Sequence, residues 1–360
     1  MIYYFIMKNQ ITGERMKRFL TGIMALVMLL SLTACQEEAT QKQVFAMDTV
    51  MTLAAYGKSG EAALKEAELE LYRLEAMLSR TSENSKVSEI NGAAGEAVPT
   101  EGEIEELLRL AKQYSEKTDG AFDVTIAPVV SAWGFTETVY RVPGPAELEG
   151  LLQSVGEEFV EIRDGSVVLA PETRIDLGGI AKGYASDRVA EIFEANGVER
   201  GWISLGGNVM AKGTRPDGDP WKVGIQHPEI TDQESFVGMV FLENAYAVTS
   251  GGYQRYFDEN GRTYHHIIDP ATGYPADSGL TSVTVVADLK DGVRNGTMCD
   301  ALSTALFVMG EEKALEFWRS STLDFELVLV TEDGRVVVTD GLSDRFAEAE
   351  GSGYTYETVS

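Results

Sequence analysis

Arg174-Ile175-Asp176-Leu177-Gly178-Gly179-Ile180-Ala181-Lys182-Gly183 reads as a strand that stops at paired glycines and gives way to a helix. The predicted strand is Arg174 to Leu177, the predicted helix Ile180 to Asn196, and Gly197 supplies its C-terminal stop. Trp202 to Leu205 follows as a strand and runs into a second pair, Gly206-Gly207. Further strands are expected at Trp221 to Gln226, Phe236 to Leu242, Ala245 to Val248, His265 to Ile268 and Leu280 to Ala287. Strands in runs with few crossover helices indicate an α+β fold with largely antiparallel sheets and packed helices.

Upstream, Val44 to Tyr56 alternates as a strand, and Glu61 to Leu78 carries Leu64, Ala67, Leu71, Leu74 and Leu78 at helical spacing. Thr100 and Glu103 have the spacing of a capping box, ahead of a helix with Ile104, Leu107, Leu108, Ala111 and Tyr114 on one face. Residues Glu137 to Gly156 form a Pro- and Gly-rich connector around a short helix, the best place for a sub-boundary. Helices at Thr297 to Met309 and Glu311 to Ser320 and a hairpin from Phe325 to Val338 close the chain. No internal repeat is present.

The 360 residues allow one large or two smaller domains with a real core. Acidic residues number 57 against 30 basic, a net charge of −27. That balance argues against nucleic acid or anionic lipid as the main ligand, because phosphate backbones need cationic partners. An anionic cofactor would have to be held by local N–H groups, a metal ion or one placed lysine.

Met16-Lys17-Arg18 precedes an apolar run from Phe19 to Ala34, shorter than the ~20 residues of a membrane-spanning helix, so residues 1–34 read as a signal peptide. Met1 to Arg15 match no part of such a signal, which makes Met16 the alternative start. Leu32-Thr33-Ala34-Cys35 resembles a bacterial lipobox, with Cys35 lipidated, residues 35–43 a tether, and 44–360 the working domain. The expected localisation is exported, anchored by lipid at the extracytoplasmic face of the cell membrane. A lipidated Cys35 cannot pair with Cys299, which is left as a buried thiol.

Three constellations can carry chemistry. Asp176 to Gly183 exposes backbone N–H groups and a helix N-terminus suited to phosphate, with Lys182 as a point charge and Asp176 as an acceptor; the alternative is a tight packing turn. Asp300 and Thr304, four apart on one helix face, offer hard oxygens for Mg2+, although an acid early in a helix is also a common cap. Tyr264-His265-His266-Ile267 precedes Asp269-Pro270 and Thr272-Gly273, and one histidine can serve as a general base. Zinc is disfavoured, since neighbouring rings on a strand face opposite ways. Covalent hydrolase chemistry lacks both a Gly-x-Ser-x-Gly motif and an activated cysteine.

Taken together, Ala46 to Thr49, Gly120 to Asp123, Asp176 to Asp187, Ser204 to Asn208, Ala247 to Tyr253, His266 to Pro275 and Asp300 to Gly310 resemble the bacterial FAD:protein FMN transferases, the ApbE-type flavin transferases. The resemblance runs over nearly all of the chain after Cys35. It implies a T-fold-like α+β architecture and Mg2+-dependent transfer of FMN from FAD to a Thr or Ser hydroxyl of a target protein, with release of AMP. By the same resemblance Met47, Ala121, Phe122, Asp123, Asp176, Lys182 and Ile267 would hold FAD. Asp300, Thr304 and the backbone of Gly179 would hold Mg2+, and His266 would be the base. The implied partners are FAD and an acceptor flavoprotein or membrane redox-pump subunit, with the membrane reached through the lipid anchor and no nucleic acid. Two departures stand out: Thr81 replaces a frequent aromatic after Ser79-Arg80, and Cys299 replaces a frequent alanine, which would expose the site to oxidation. An FAD pyrophosphatase giving FMN and AMP, or a non-catalytic flavin-binding lipoprotein, are the other readings.

Overall fold

The first element among the described residues is a hairpin of β1 (Ala39–Ala46) and β2 (Thr49–Tyr56), paired in register from Ala39 opposite Tyr56 to Ala46 opposite Thr49. The computed structural model describes residues 38–360 except 101, 137–138 and 230–234; the signal segment and Cys35 lie outside the described residues. Residues 39–43, expected in a tether, are strand, because they complete the ladder with β2. Helix α1 (Gly60–Leu78) buries Leu64, Ala67, Leu71 and Leu74, each worth roughly 1.5–3 kcal/mol when fully buried for the larger side chains. It is followed by α2 (Lys86–Gly92), β3 (Val98–Pro99) and α3 (Glu103–Lys117). The expected capping box does not form: Gly102 sits at the N-cap of α3, and the Thr100 hydroxyl is buried without a hydrogen bond among the described residues.

Next come α4 (Ala127–Trp133), α5 (Pro145–Leu152), β4 (Val160–Arg163), β5 (Ser166–Leu169) and α6 (Ala181–Ala195). Arg174 to Leu177, expected as a strand, makes a single bridge to Ile126, since among the described residues no neighbour continues a ladder there. Then follow β6 (Gly201–Leu205), β7 (Asn208–Lys212), β8 (Trp221–Gln226), β9 (Phe236–Leu242), β10 (Ala245–Gly251), β11 (Tyr256–Glu259), β12 (Arg262–His265) and β13 (Leu280–Asp288). Ile267 and Ile268, expected in a strand with His265, lie past the end of β12. Helix α7 (Asn295–Ser320) contains both late helices, broken at Gly310 with φ 78°. The chain finishes with β14 (Glu326–Thr331), β15 (Arg335–Thr339), β16 (Phe346–Glu348) and β17 (Thr355–Val359); β16 and β17, like β3, β4, β5, β7 and β11, are not expected from the sequence.

A nine-stranded sheet, ordered β1-β2-β6-β7-β10-β13-β14-β15-β17, forms the backbone of the fold and is antiparallel except for β15 against β17. Its strands alternate between two buried faces. Leu327 and Leu329 of β14 join the core on the side of α1, α3, α6 and α7, whereas Val328 and Val330 pack under the small sheet β16-β9-β8. The α+β class with largely antiparallel sheets is therefore the observed one. Residues 137–156 mark no separate domain, because Ala39–Ser360 is one compact unit.

Candidate active site

Helices α6 and α7 meet at their N-terminal turns, where two glycines let the backbones touch. A Cβ at Gly183 would lie 2.3 Å from the Gly296 carbonyl oxygen and 2.6 Å from Asp300 Cβ. The Gly183 N–H donates to Asp300 Oδ2 at 2.8 Å, so Asp300 caps α6 and not its own helix. Asp300 Oδ1 faces Lys182 Nζ at 3.7 Å, and that ammonium also donates to the Gly178 carbonyl at 3.2 Å. One turn along α7, Thr304 Oγ1 lies 3.9 Å from where a Gly179 Cβ would stand. Gly183→Ala is expected to destabilise the fold by about 3 kcal/mol or more, because the clash is with backbone and cannot be relieved by a rotamer; a urea midpoint equal to wild type would contradict this packing.

Asp176 is fixed at both carboxylate oxygens. Oδ1 accepts from the Gly178 N–H at 2.8 Å, and Oδ2 pairs with Arg80 Nε at 3.0 Å. Its own N–H donates to the Val124 carbonyl, which brings Ala121, Phe122 and Asp123 alongside the glycine turn. The Phe122 ring is 3.1 Å from the Gly179 Cβ position. Asp123 points inward, accepting from Thr125 N–H, Thr125 Oγ1 and Ser115 Oγ, and burial raises its pKa. Asp123 and Ala121 also line a cleft of about 1160 Å3 that extends past Asp269 and Val308 to Lys313, large enough for a dinucleotide.

Met47 and Asp48 form the two-residue turn between β1 and β2, both at positive φ (50° and 58°). A methionine there is strained, and strain of this kind collects at functional sites. Glu75 Oε1 holds the turn by accepting the Met47 N–H at 2.9 Å. Arg255 reaches Asp48 at 4.0 Å, and its carbonyl accepts from both the N–H and the Nδ1 of His266. A carbonyl can only accept, so Nδ1 carries the proton and Nε2 keeps its lone pair. Desolvation, with the positive charges of Arg255 and Lys182, lowers the His266 pKa to about 3. Ile267 is buried next to it, its carbonyl held by the Ala276 N–H.

The phosphate-like turn, the hard-oxygen pair and the neutral histidine thus surround one region. A family model, the ApbE family, matches residues 47–329. The chain belongs to the ApbE family. The FAD:protein FMN transferase of Haemophilus influenzae is 32% identical over 358 residues, covering 93% of this chain and all of its own length (100%). That of Treponema pallidum is 33% identical over 302 residues, covering 79% and 81%. Among solved structures, the ApbE protein of Thermotoga maritima has a TM-score of 0.78 at 33% identity, covering 87% of this chain and 100% of that one. The Pseudomonas stutzeri flavinyl transferase ApbE in its apo form has a TM-score of 0.75 at 28% identity, covering 87% and 98%.

In this ApbE-family enzyme, sequence reasoning missed two supports. Nothing local in the sequence marks Arg80, which anchors Asp176; Thr81 itself is exposed and has no ring to stack on a ligand. Glu75 holds Met47, a contact between distant residues with no local signal. Ser250 Oγ lies 2.8 Å from Ser303 Oγ and 3.3 Å from Thr304 Oγ1, so the hydroxyls form one cluster beside the candidate metal ligand. The expectation that Cys299 sensitises the site to oxidation is not met. The side chain is fully buried, and burial pushes the thiol well above its ordinary value, which removes the reactive thiolate. Native protein is expected to leave this thiol unlabelled by a disulfide reagent until unfolded; stoichiometric labelling before unfolding would contradict its burial.

The donor chemistry fits Mg2+. The ApbE-family chain presents one carboxylate oxygen of Asp300 and the Thr304 hydroxyl, both hard oxygens, with Gly179 beside Thr304. No group of three or more His, Cys, Asp or Glu suited to a metal occurs among the described residues.

Proposed function

We propose that this chain transfers FMN from FAD to a Thr or Ser hydroxyl of a target protein in an Mg2+-dependent reaction that releases AMP. The observation that carries the reading is the convergence of Lys182, Asp300 Oδ1 and Thr304 Oγ1 at the start of α6 with a histidine whose Nε2 is unprotonated. Lys182 binds the pyrophosphate, with α6 directing its positive end at it; most N–H groups of the glycine turn are already taken, that of Gly178 by Asp176 and those of Ile180 and Ala181 by the Leu177 carbonyl. Asp300, Thr304 and the Gly179 carbonyl would hold Mg2+, whose contribution is to neutralise phosphate charge. Met47, Phe122, Asp123, Ala121, Asp176 and Ile267 shape the FAD site. His266 Nε2 takes the acceptor proton, the hydroxyl oxygen bonds to the phosphorus of the FMN half, and the bond to the AMP phosphate oxygen breaks.

Purified chain incubated with FAD and Mg2+, with and without a candidate exported flavoprotein domain, tests this by AMP release. Release that requires both Mg2+ and the acceptor is expected. Equal amounts of AMP and free FMN without acceptor would replace the transferase with a pyrophosphatase, and bound FAD with neither product would leave only a flavin-binding lipoprotein.

We infer as well that Cys35 is lipidated and that the enzyme works at the extracytoplasmic face of the cell membrane on exported flavoproteins or membrane redox-pump subunits. The lipobox-like ending of the apolar segment supports this. In a bacterial host, Cys35→Ser should move the protein to the soluble fraction, and full membrane partitioning of that variant would contradict lipidation.

A further inference from the structure

Asp300 is not the only carboxylate exchanged between α6 and α7. Asp187, two percent exposed on α6, accepts from the Gly296 N–H at 2.8 Å, from the Thr297 N–H at 2.8 Å and from Thr297 Oγ1 at 2.6 Å. Gly296 and Thr297 are the second and third residues of α7, whose N–H groups have no partner within the helix, and Arg294 at the N-cap makes no side-chain cap. Helix α6 is equally bare at Ile180, and Asp300 satisfies the N–H of its third residue, Gly183. Each helix therefore caps the other with a carboxylate. Both crossings need glycine: a Cβ at Gly296 would stand 2.7 Å from Asp187 Oδ1 and 2.8 Å from the Gly183 carbonyl oxygen.

The exchange has a directional consequence for the site. With Oδ2 of Asp300 committed to Gly183, only Oδ1 is left, facing Lys182. How far along α6 that oxygen sits depends on the register of α7, and Asp187 is the side chain that pins the first turn of α7 to α6. Asp187 sits four residues past Gly183 and so grips α7 one turn away from the point where Asp300 grips α6.

We propose that Asp187 is a positioning residue for Mg2+: it never touches the ion but sets the register that aims Asp300 Oδ1 at it. The proposal rests on the metal assignment made above. Loss of partners that orient a ligand commonly costs about 10- to 100-fold in metal affinity. Removing Asp187 should therefore weaken cation binding while leaving metal-independent FAD binding in place.

The test uses Mn2+ as the probe, titrated by electron paramagnetic resonance into the full chain saturated with FAD and without acceptor. FAD affinity is measured separately by flavin fluorescence in EDTA. For Asp187→Asn, which places an NH2 against one of the two N–H groups, the Mn2+ Kd should rise at least about tenfold while the FAD Kd in EDTA stays within about twofold. Thr297→Val, which deletes only the hydroxyl contact, should raise the Mn2+ Kd less, and Thr297→Ser should restore it. This pair decides the matter if Asp187→Asn does not fold. Val330→Ala, on the far face of the sheet, controls for lost stability and should leave the Mn2+ Kd unchanged. Wild-type Mn2+ affinity in folded Asp187→Asn or in Thr297→Val would overturn the proposal, as would parallel loss of FAD binding in EDTA. Absence of Mn2+ binding by the wild type would instead sink the metal assignment itself.

Discussion

Asp300→Ala is expected to lower Mg2+-dependent FMN transfer by about 10³-fold or more, the loss that follows when several kcal/mol of metal-assisted charge stabilisation are withdrawn. The substitution has a second, separable effect. It leaves the Gly183 N–H without its acceptor, at a cost of about 1–3 kcal/mol of stability. Asp300→Asn separates the two, since its amide oxygen can still accept from Gly183 while the negative charge is gone. Its unfolding midpoint should return most of the way to wild type while transfer stays low. Single-turnover transfer at saturating FAD, compared with urea unfolding of both variants, measures this. Substantial activity in either variant would remove Asp300 from the metal site.

His266→Ala is expected to slow transfer by about 10²- to 10³-fold with FAD affinity changed by less than about threefold, because the ring acts on the acceptor proton. The pH dependence follows from its depressed pKa. Unfolded, the ring binds a proton below about pH 6.5; folded, it does not do so until about pH 3. Between those values the unfolded state holds more protons, so the stability this group contributes is fully present above pH 6.5 and is lost as pH falls toward 3. For the same reason kcat/KM for FAD, which reports the free enzyme, should show no fall centred near pH 6.5 when pH is lowered from 8 to about 5. A half-maximal fall at the ordinary histidine value would mean that His266 is not held neutral as its surroundings indicate.

Much of the fold was legible because its elements have strong local periods. The helical spacing of Leu64 to Leu78, the glycine stop at Gly197 and the break at Gly310 all reappear in the structure. What the sequence concealed depends on partners far along the chain. Residues 174–177 have a strand pattern but no ladder to join, and Thr100 has capping spacing while Gly102 takes the cap. Strand β17 pairs in parallel with β15, a pairing with no short-range signature. The site divides in the same way. Lys182 beside paired glycines and the four-residue spacing of Asp300 and Thr304 were visible as chemistry. That Asp300 caps the neighbouring helix, and that Arg80 and Glu75 brace Asp176 and Met47, follow only from contacts spanning tens of residues or more.

The most direct test of the account is the intact mass of an exported flavoprotein acceptor after incubation with this enzyme, FAD and Mg2+, alongside an acceptor whose target Thr is replaced by Val. The account predicts a single addition equal to FMN less one water on the Thr acceptor, matched by one AMP released, and no addition on the Val acceptor or when Mg2+ is chelated. AMP formed together with free FMN while the Thr acceptor keeps its original mass would contradict it.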